Sequence, residues 1–380
     1  MARFLILHAS VGSGHESAAR ALAAAFARLP DSEVRVEDTL DYASPLFRAA
    51  YARSYLELSQ RAPMVWQMFY ESTDIDDPEW NQITGQLRGM VAELTVTGMK
   101  RLVRTYAPST IVCTHFLPAE LLLRMKLEGD LRVPTYTVIT DHAVHNNWIT
   151  PGVDGYFVAS EFPRELMIAR GVPAPIIYVT GIPVNVETSV VKQPGEMRAR
   201  HNLPLEGAVV SLFGGGLAPR RVRHMVEGLL ALDQDGMLVV VAGRNAELPA
   251  ALAGLGDGPR MGLRVLAQID YVDDLVAASD LAITKAGGLI VSEVLARGTP
   301  LVVIDPIPGQ EEWNADYLVS SGAGLQLRLP EWVPWTIQQL LADPPRLAAL
   351  RTRALAAGRP NAAREIAERV AHDLRAYRRV

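Results

Sequence analysis

The sequence predicts an α/β protein of two doubly wound domains, each a parallel sheet covered by helices on both faces. Short apolar runs alternate with longer helical patterns along the chain, as strands buried on both faces of a parallel sheet require. One pattern of strand, glycine loop and helix occurs twice, in FLILHASVGSGHESAARALAAAF and, about 200 residues later, in AVVSLFGGGLAPRRVRHMVEGLLAL. The length of 380 residues also exceeds the roughly 100–200 residues of one ordinary domain.

Ten apolar runs are predicted as the strands of these sheets. They are Phe4–His8, Ile111–Thr114, Thr135–Thr140, Gly155–Val158, Ile177–Thr180, Val209–Phe213, Leu238–Ala242, Arg264–Ala267, Leu281–Ile283 and Leu301–Ile304. Each of the two repeated patterns is typical of the first βα unit of a Rossmann-like sheet, so we expect two similar domains and not one large sheet.

The domain boundaries follow from the position of the repeated pattern. The N-terminal domain is predicted over 1–182 and the C-terminal domain over 206–360. A linker is predicted over 183–205, where proline, glycine and polar residues cluster. A last amphipathic helix, 361–380, is expected to pack back toward the N-terminal domain.

The composition excludes several classes of protein. With 37 basic and 42 acidic residues the net charge is −5, whereas a nucleic-acid-binding protein carries a basic excess. Cys113 is the only cysteine, which excludes a disulfide framework and a thiolate metal cluster and indicates a reducing compartment. No run reaches the roughly 18 apolar residues of a membrane helix, and the short run before His8 is too short for a signal peptide. We therefore expect a cytoplasmic protein, soluble or peripheral to a membrane.

A segment at about 42–80 is predicted as a helical insertion. It holds eight of the 25 aromatic residues, with arginines between them. The residues are Tyr42, Phe47, Arg48, Tyr51, Arg53, Tyr55, Arg61, Trp66, Phe69, Tyr70 and Trp80. Aromatic rings and arginines on one helical stretch suit the headgroup level of a membrane. Composition alone favours the alternative, in which the rings form the core of an inserted helix pair.

The first glycine loop follows a strand and opens a helix, which makes it a candidate binding site. Glycines there allow close backbone approach, and the helix N-terminus favours negative charge. His15 lies in the first helical turn, where an imidazole can act as general base toward a hydroxyl. The alternative needs no ligand, because Ser13 and Glu16 have the spacing of a capping box.

Two loops of the C-terminal domain predict a diphosphate site. Gly214–Gly216 follow a strand, but without the G-x-G-x-x-G spacing and the acidic residue of dinucleotide dehydrogenases. Lys285, Gly287 and Gly288 stand where a second strand ends and a helix begins. A lysine and backbone amides at a helix N-terminus stabilise diphosphate charge.

Side chains that suit a sugar nucleotide follow these loops. Glu293 lies one turn into the helix, where a carboxylate can accept both hydroxyls of a ribose. After the next strand, Gln310, Glu311 and Asn314 offer groups for sugar hydroxyls. Any one of them alone is explained as a cap or a solvated turn, but together they occupy successive strand ends of one sheet.

Other chemistries are disfavoured. Asp141, His142 and His145, with His115, suggest a metal site but lack an HExxH pattern. Asp74-Ile-Asp76-Asp77 contains the D-x-D of metal-dependent transferases, yet it lies in a polar loop, so we expect a solvated turn. No G-x-S-x-G elbow supports a serine hydrolase. We therefore expect neither a metal nor another cofactor.

Five motifs spread over nearly the whole chain resemble one enzyme family. They are HASVGSGHESAARAL, SYLELSQRAPMVWQMFY, TDHAVHNNWITPGVDGYFVAS, ITKAGG with the Ser-Glu pair after it, and PGQEEWNADYL. The family is the monogalactosyldiacylglycerol synthase and processive diacylglycerol glucosyltransferase group of GT-B glycosyltransferases, which is related to the N-acetylglucosaminyltransferase of the peptidoglycan lipid precursor. The resemblance implies two Rossmann-like domains facing across a cleft, the first for a lipid acceptor and the second for a UDP-sugar.

The resemblance also implies roles for individual residues. His15 becomes the candidate base, helped by Asp141. The acceptor-binding residues that it implies are Gly12, Gly14, His145 and Trp148. The donor-binding residues are Gly214, Gly215, Gly216, Arg244, Tyr271, Lys285, Gly287, Gly288, Glu293, Gln310, Glu311 and Asn314, with Tyr271 as a wall for the uracil. The membrane face, now favoured over the core alternative, is Arg48, Tyr51, Tyr55, Arg61, Trp66 and Phe69.

The implied function is transfer of a hexose from a UDP-sugar to a membrane lipid such as diacylglycerol. The expected mechanism is an inverting single displacement without a metal, on the inner face of the cell membrane. Neither the sugar nor the oligomeric state is predicted. A UDP-N-acetylglucosamine 2-epimerase and a non-catalytic sugar-nucleotide or lipid-binding module are the alternatives, and a dehydrogenase is third.

Overall fold

A computed structural model describes residues 1–44, 48, 63–74 and 96–377, with only the backbone of residues 63–67 and 69. The chain divides into two compact units. The first unit comprises Met1–Val186, Ile307–Gln310 and Asn361–Val380, and the second comprises Glu187–Pro306 and Glu311–Pro360. Each unit contains one six-stranded parallel sheet.

The twelve strands of the described residues are numbered in chain order. They are β1 (Ala2–His8), β2 (Ser32–Asp38), β3 (Thr110–Cys113), β4 (Thr135–Val138), β5 (Gly155–Val158), β6 (Ile177–Val179), β7 (Ala208–Phe213), β8 (Gly236–Val241), β9 (Met261–Leu266), β10 (Leu281–Thr284), β11 (Leu301–Ile304) and β12 (Gly324–Leu327). The first sheet has the order β2-β1-β3-β4-β5-β6 and the second β12-β11-β10-β7-β8-β9.

Helices connect and cover these strands. Those of the described residues are α1 (Gly14–Ala27), α2 (Pro63–Asp74), α3 (96–106), α4 (Phe116–Leu127), α5 (Glu161–Ala169), α6 (Pro194–Arg200), α7 (Pro219–Leu230), α8 (Leu248–Leu252), α9 (Val272–Ala278), α10 (Gly288–Ala296), α11 (Gln310–Ser320), α12 (Trp332–Leu341), α13 (Pro344–Ala357) and α14 (Ala362–Tyr377). In the part of the chain that the structure covers, none of them is long and apolar enough to cross a bilayer.

Alternate residues of β1 show why its sequence is apolar throughout. Phe4 and Ile6 are buried with α1 and α14 on one face of the sheet. Leu5 and Leu7 are buried with α3 and α4 on the other face. Both faces of a parallel strand are covered, so apolar side chains are needed at every position. The continuous apolar runs therefore marked the strands correctly.

Two edge strands escaped the sequence prediction. β2, with the sequence SEVRVED, is half-buried and pairs only with β1. β12, with the sequence GLQL, pairs only with β11. An edge strand is open to water on one side and tolerates polar residues, so the search for apolar runs overlooked both. The predicted bounds of the other ten strands differ from the observed ones by at most three residues.

The stretch predicted as a linker, 183–205, has structure of its own. It contains α6, whose Met197 is buried in the core of the second unit. The side chain of Lys192 forms ion pairs with Asp273 and Asp274 of α9. Packing and charge thus attach most of this stretch to the second unit, and the division between the units falls between Val186 and Glu187.

Strand order reverses once in each sheet, and this point predicts where ligands bind. In the first sheet β1 lies between β2 and β3, and in the second β7 lies between β8 and β10. The second sheet therefore has the Rossmann order, with β7 as its first strand. Ligands of open α/β sheets bind outside the carboxyl ends of the strands at such a switch point. The candidate residues must therefore be sought after β1 and β3, and after β7 and β10.

Candidate active site

His15 follows β1 at the switch point of the first sheet, in the first turn of α1. Gly12 adopts φ +93°, a conformation that favours glycine, and so turns the chain into the helix. The capping-box alternative is not observed: the side chain of Ser13 makes no capping hydrogen bond, and Glu16 pairs with Arg20 at 2.5 Å. Capping of α1 by Ser13 therefore does not explain the sequence of this loop.

The hydrogen bonds of His15 assign its tautomer. Its Nδ1 lies 2.8 Å from the carbonyl oxygen of Thr114 and 2.9 Å from Oγ1 of Thr140. A carbonyl oxygen only accepts, so Nδ1 carries the proton and Nε2 keeps its lone pair. Thr114 Oγ1 in turn donates to the backbone oxygen of His15 at 2.9 Å. Residues after β1, β3 and β4 together hold the ring.

The surroundings of His15 keep it neutral. Burial lowers its pKa to about 4; the bond to Thr114 opposes the shift, and the nearby His8 adds to it. At neutral pH the imidazole is therefore unprotonated at Nε2. A neutral imidazole of fixed tautomer can accept a proton from a hydroxyl group.

Buried aromatic rings line His15. The ring centroid of His115 lies 4.6 Å away in an edge-on arrangement, and that of Trp148 lies 6.0 Å away. His115 caps α4 by accepting from the backbone of Leu117 at 3.0 Å, and burial holds its pKa well below the usual value. Trp148 is 4% exposed and also packs against Phe116 at 5.9 Å. We interpret Trp148 as a wall that fixes the orientation of His15.

The other predicted residues of the first unit follow β4. Asp141 is half-buried and is the chain neighbour of Thr140, which bonds His15. His145 is only 2% exposed. Its Nδ1 accepts from the backbone of Asn147 at 3.0 Å, and its Nε2 lies 2.8 Å from the carbonyl oxygen of Tyr70. Both ring nitrogens make hydrogen bonds within the chain that position the loop after β4, and a contact of His145 with an acceptor stays a prediction.

Asp74, the first residue of the D-x-D segment, does not lie in the solvated turn that the sequence predicted. Asp74 ends α2, and its carboxylate pairs with Arg170 at 2.9 Å. The same carboxylate accepts from the backbone of Asn146 at 2.8 Å. Asp74 therefore attaches α2 to the loop that contains His145. Asp76 and Asp77 lie outside the described residues.

The predicted membrane face is largely outside the described residues. This holds for Tyr51, Tyr55 and Arg61, and for the side chains of Trp66 and Phe69. Arg48 is described and exposed, and it pairs with Asp41 at 2.5 Å. The membrane face stays a prediction.

The glycine loop of the second unit requires its glycines for close approach. A Cβ on Gly214 would lie 2.6 Å from Cδ2 of Leu248, and one on Gly216 would lie 3.0 Å from Cδ of Lys285. A Cβ on Gly215 would similarly lie 3.2 Å from the backbone oxygen of Ala242. The loop after β7 therefore contacts Lys285 after β10, across the switch point of the sheet.

Lys285 stands at the N-terminus of α10. Its Nζ lies 3.4 Å from Oε2 of Glu311, and both side chains are mostly buried. Gly287 is the N-cap residue and supplies no side chain to the amides of the first turn. Positive charge from the lysine and from the helix N-terminus therefore converges on one point.

Asn314 makes a hydrogen bond within the chain, and its contact with a donor sugar stays a prediction. It is fully buried on α11, and its Nδ2 donates to the carbonyl oxygen of Ala286 at 3.0 Å. Asn314 therefore holds the loop between Lys285 and Gly287 in place, which is a positioning role. Gln310 begins the same helix after Gly309, whose φ is +90°.

Glu293, one turn into α10, has a pKa well above the ordinary value of a carboxyl group. Burial raises its pKa to about 7, and the negative charge of Asp273 contributes. Asp273 stays ionised because hydrogen bonds from Arg297 and Lys192 outweigh its own burial and lower its pKa. Among the described residues no ion pair engages the Glu293 carboxyl group. A half-buried carboxyl group with a raised pKa and no cation beside it marks a candidate ligand site.

Tyr271 and Arg244 also lie in the second unit. The Tyr271 ring stacks on His201 with centroids 4.2 Å apart, and His201 Nε2 lies 2.8 Å from Asp274. Arg244 is exposed in the turn after β8. Their roles toward a donor stay predictions.

Sequence reasoning missed several residues that the structure places at the two switch points. Thr114 and Thr140 bond His15, although each is the last residue of a predicted strand and was open to recognition by position. His115, which the sequence suggested only for a metal site, packs against the ring of His15. In the second unit, Asp305 after β11 adopts φ +46° and pairs with Arg221 of α7. Backbone strain in a non-glycine residue is found at functional sites, and sequence does not reveal it.

The suggested metal site is not assembled in the structure. Asp141, His142, His145 and His115 form no group of three metal ligands, and no other such group occurs among the residues that the structure describes.

Comparison with known proteins gives a consistent family. Residues 15–184 match the family model of monogalactosyldiacylglycerol (MGDG) synthase, and residues 209–370 match the glycosyltransferase family 28 C-terminal domain. Processive diacylglycerol beta-glucosyltransferase of Bacillus subtilis (strain 168) is 27% identical over 343 residues, covering 90% of this chain and 87% of that protein. MurG of Acinetobacter baumannii has a similar structure, with a TM-score of 0.64 at 16% identity, over 97% of this chain and 98% of that one. The structure of UDP-GlcNAc 2-epimerase of Neisseria meningitidis, bound to UDP-GlcNAc, is also similar, with a TM-score of 0.62 at 12% identity. The match covers 97% of this chain and 100% of that one.

Two parallel six-stranded sheets with candidate residues at their switch points form the GT-B fold, which the structure of MurG shares. The two family matches fall one on each sheet. The chain therefore combines a region that matches the monogalactosyldiacylglycerol synthase model with one that matches the glycosyltransferase family 28 C-terminal domain.

Proposed function

We propose that this glycosyltransferase moves a hexosyl group from a UDP-sugar to a hydroxyl group of a membrane lipid, diacylglycerol being the first candidate. The observation that carries the proposal is the fixed tautomer of His15, whose Nδ1 is held by Thr114 and whose Nε2 keeps a lone pair. The Bacillus relative named for diacylglycerol supports the acceptor. The neighbour bound to UDP-GlcNAc supports a uridine diphosphate donor.

The proposed reaction is a single displacement. Nε2 of His15 takes the proton of the acceptor hydroxyl, and the hydroxyl oxygen forms a bond to the anomeric carbon. The bond from that carbon to the diphosphate oxygen breaks, and the leaving UDP takes the electron pair. Lys285 and the amides of Gly287 and Gly288 stabilise its negative charge. The ribose hydroxyls of the donor bind Glu293.

The test is a panel of UDP-sugars incubated with diacylglycerol vesicles, with mass spectrometry of the lipids and NMR of the anomeric proton. We expect one UDP-hexose to give a glycolipid of inverted configuration, at a rate that EDTA does not change. A product with retained configuration contradicts the single displacement. Loss of activity with EDTA contradicts the stabilisation of UDP by Lys285 and the helix alone.

Two simpler incubations separate the alternatives. Conversion of UDP-N-acetylglucosamine without any lipid would identify a 2-epimerase. Binding of a UDP-sugar without release of UDP in the presence of lipid would identify a non-catalytic module. The proposal also places the enzyme peripherally on the inner face of the cell membrane, where cell fractionation should recover it.

A further inference from the structure

The solvent-facing side of α13, in the second unit, has an unusual composition. Leu347, Leu350 and Ala354 pack against the cores of the unit. The opposite side consists of exposed residues without charge, at the spacing of one helical face. They are Pro345, Ala348, Ala349, Thr352 and Ala356, with Leu355 at the border of the face, where its side chain also lies against Gly298. Leu355 is 58% exposed. The exposed face of an ordinary surface helix is polar or charged, so this face needs another explanation.

Arginines border the uncharged face. Arg346 and Arg353 lie on one side of it and Arg351 on the other, and Arg359 follows the helix. No acidic residue occurs between 344 and 360. In the part of the chain that the structure describes, none of the four arginines forms an ion pair. Most other exposed cations of the unit do, as Arg260 does with Asp233 and Asp235.

An anionic bilayer surface matches this arrangement. An interfacial helix lies with its apolar face in the headgroup region, while arginine side chains at its borders reach the phosphates. The surface potential of anionic lipids attracts clustered basic residues. Because alanines bury little apolar area, the arginines must supply most of the affinity here. Binding should therefore follow the anionic lipid content and weaken with salt.

We propose that α13 docks the second unit on an anionic lipid surface. This surface is separate from the predicted membrane face at 42–80, which belongs to the first unit. It is also separate from the donor cluster, because Gly322 and Gly298, which α13 contacts through Arg353 and Leu355, precede β12 and β11. The helix thus lies at the amino edge of the sheet, opposite the carboxyl ends.

Flotation with vesicles of phosphatidylcholine, with and without phosphatidylglycerol, tests the proposal in the absence of any UDP-sugar. We expect the full chain to bind the anionic vesicles. The double variant R346Q/R353Q should lower the partition coefficient about 10- to 30-fold, and R346K/R353K should restore it. A349E/A356E, which places acids on the exposed face, should lower it comparably. All four substituted positions are exposed, so the variants should fold, and thermal unfolding checks this.

A matched control removes two charges elsewhere in the same unit. R220Q/R328Q changes exposed arginines next to the carboxyl ends of β7 and β12, and it should bind anionic vesicles like the wild type. The proposal is overturned if R346Q/R353Q and A349E/A356E also bind like the wild type. It is equally overturned if A349E/A356E splits a dimer in sedimentation without changing vesicle binding, because the face would then contact a second copy.

A further variant tests another exposed apolar surface of the unit. Trp332 and Trp335 of α12 are 57% and 67% exposed. If W332A/W335A abolishes flotation while the α13 variants do not, the docking surface is α12 and the proposal is wrong. Flotation requires neither a UDP-sugar nor turnover. It therefore tests the docking surface even if the protein proves not to transfer a sugar.

Discussion

The imidazole of His15 donates from Nδ1 to the carbonyl oxygen of Thr114, and this bond decides which nitrogen can act as a base. A backbone carbonyl cannot change its role with pH or with a side-chain substitution. Burial lowers the pKa of His15 to about 4, which makes the imidazole a weaker base. It also keeps the ring neutral at every pH above about 4. The acid limb of kcat/KM that belongs to His15 should therefore lie near pH 4 and not near 6.5.

Replacing His15 with alanine should lower kcat by about 10²- to 10⁴-fold, the usual contribution of a general base. The Kd for UDP should stay within about twofold, because the donor cluster lies in the other unit. Steady-state kinetics and calorimetry measure the two quantities. His372→Ala, at an exposed histidine of α14, is the control and should behave like the wild type. Unchanged turnover in the His15 variant would remove the residue from the mechanism.

Glu293 should make donor binding depend on pH. Its pKa of about 7 lies above the ordinary value, so a substantial fraction is protonated at neutral pH. Ribose hydroxyls donate to the carboxylate, so the Kd for UDP should rise as the pH falls from 8 to 6. Glu293→Gln should weaken UDP binding at pH 8 and abolish this pH dependence. A wild-type Kd that is constant over the range would contradict the ribose assignment.

The same shift has a consequence for stability. Because the pKa of Glu293 is raised in the folded state, the unfolded state releases the proton first, and the carboxyl group destabilises the fold progressively as the pH rises from about 4.5 to 7. Without ligand, Glu293→Gln should therefore raise Tm at pH 8 and leave it unchanged at pH 4. Calorimetry at the two pH values measures the difference.

At the scale of elements, the glycine loop after β7 packs against Lys285, which precedes α10. A Cβ on Gly216 would press on Cδ of Lys285 at 3.0 Å, so Gly216→Ala should displace the lysine from its place beside Glu311. We expect a KM for the donor about tenfold higher, from a lost charged hydrogen bond of roughly 1.5 kcal/mol.

Gly195→Ala provides the matched control for this substitution. Gly195 lies in α6, and a Cβ there would meet nothing within 4 Å. In a helix, alanine is favoured over glycine, so this variant should be slightly more stable and have an unchanged KM. If both variants gave the same KM, the contact between the loop and Lys285 would have no part in donor binding.

The central strands were predictable from sequence because their burial on both faces forces apolar residues into every position. β2 and β12 were not, because one open edge relaxes that demand. In the candidate site, motifs pointed to His15, Lys285 and Glu293, because each lies beside a glycine pair or loop where a strand gives way to a helix. Thr114 escaped because its contribution is a backbone oxygen, which any residue possesses. The hydrogen bond from Asn314 to Ala286 was not predictable, because a sequence does not show whether a polar side chain bonds the chain itself.

At the scale of the whole molecule, α14 joins the first unit although it follows the second unit in the chain. Its Ile366 and Val370 are fully buried beside Leu22 and Phe26 of α1. Ile366→Ala should cost about 2–5 kcal/mol, as for other large-to-small changes in a core. The loss should fall on the first unit, so UDP binding at low temperature should persist.

Calorimetry of unfolding and titration with UDP test this division. Arg364→Ala on the same helix removes an exposed side chain and should change the stability by less than about 0.5 kcal/mol. If Ile366→Ala abolished UDP binding while the protein stayed folded, the donor cluster would depend on the core of the first unit.

The placement of α14 also orders events during synthesis. The second unit, up to Pro360, can close its core once its own residues have left the ribosome. The first unit, although translated earlier, waits with one side of β1 and α1 uncovered until residues 361–377 arrive. The unit translated first is thus completed last, and the apolar surface of α1 that α14 covers stays exposed on the nascent chain until then.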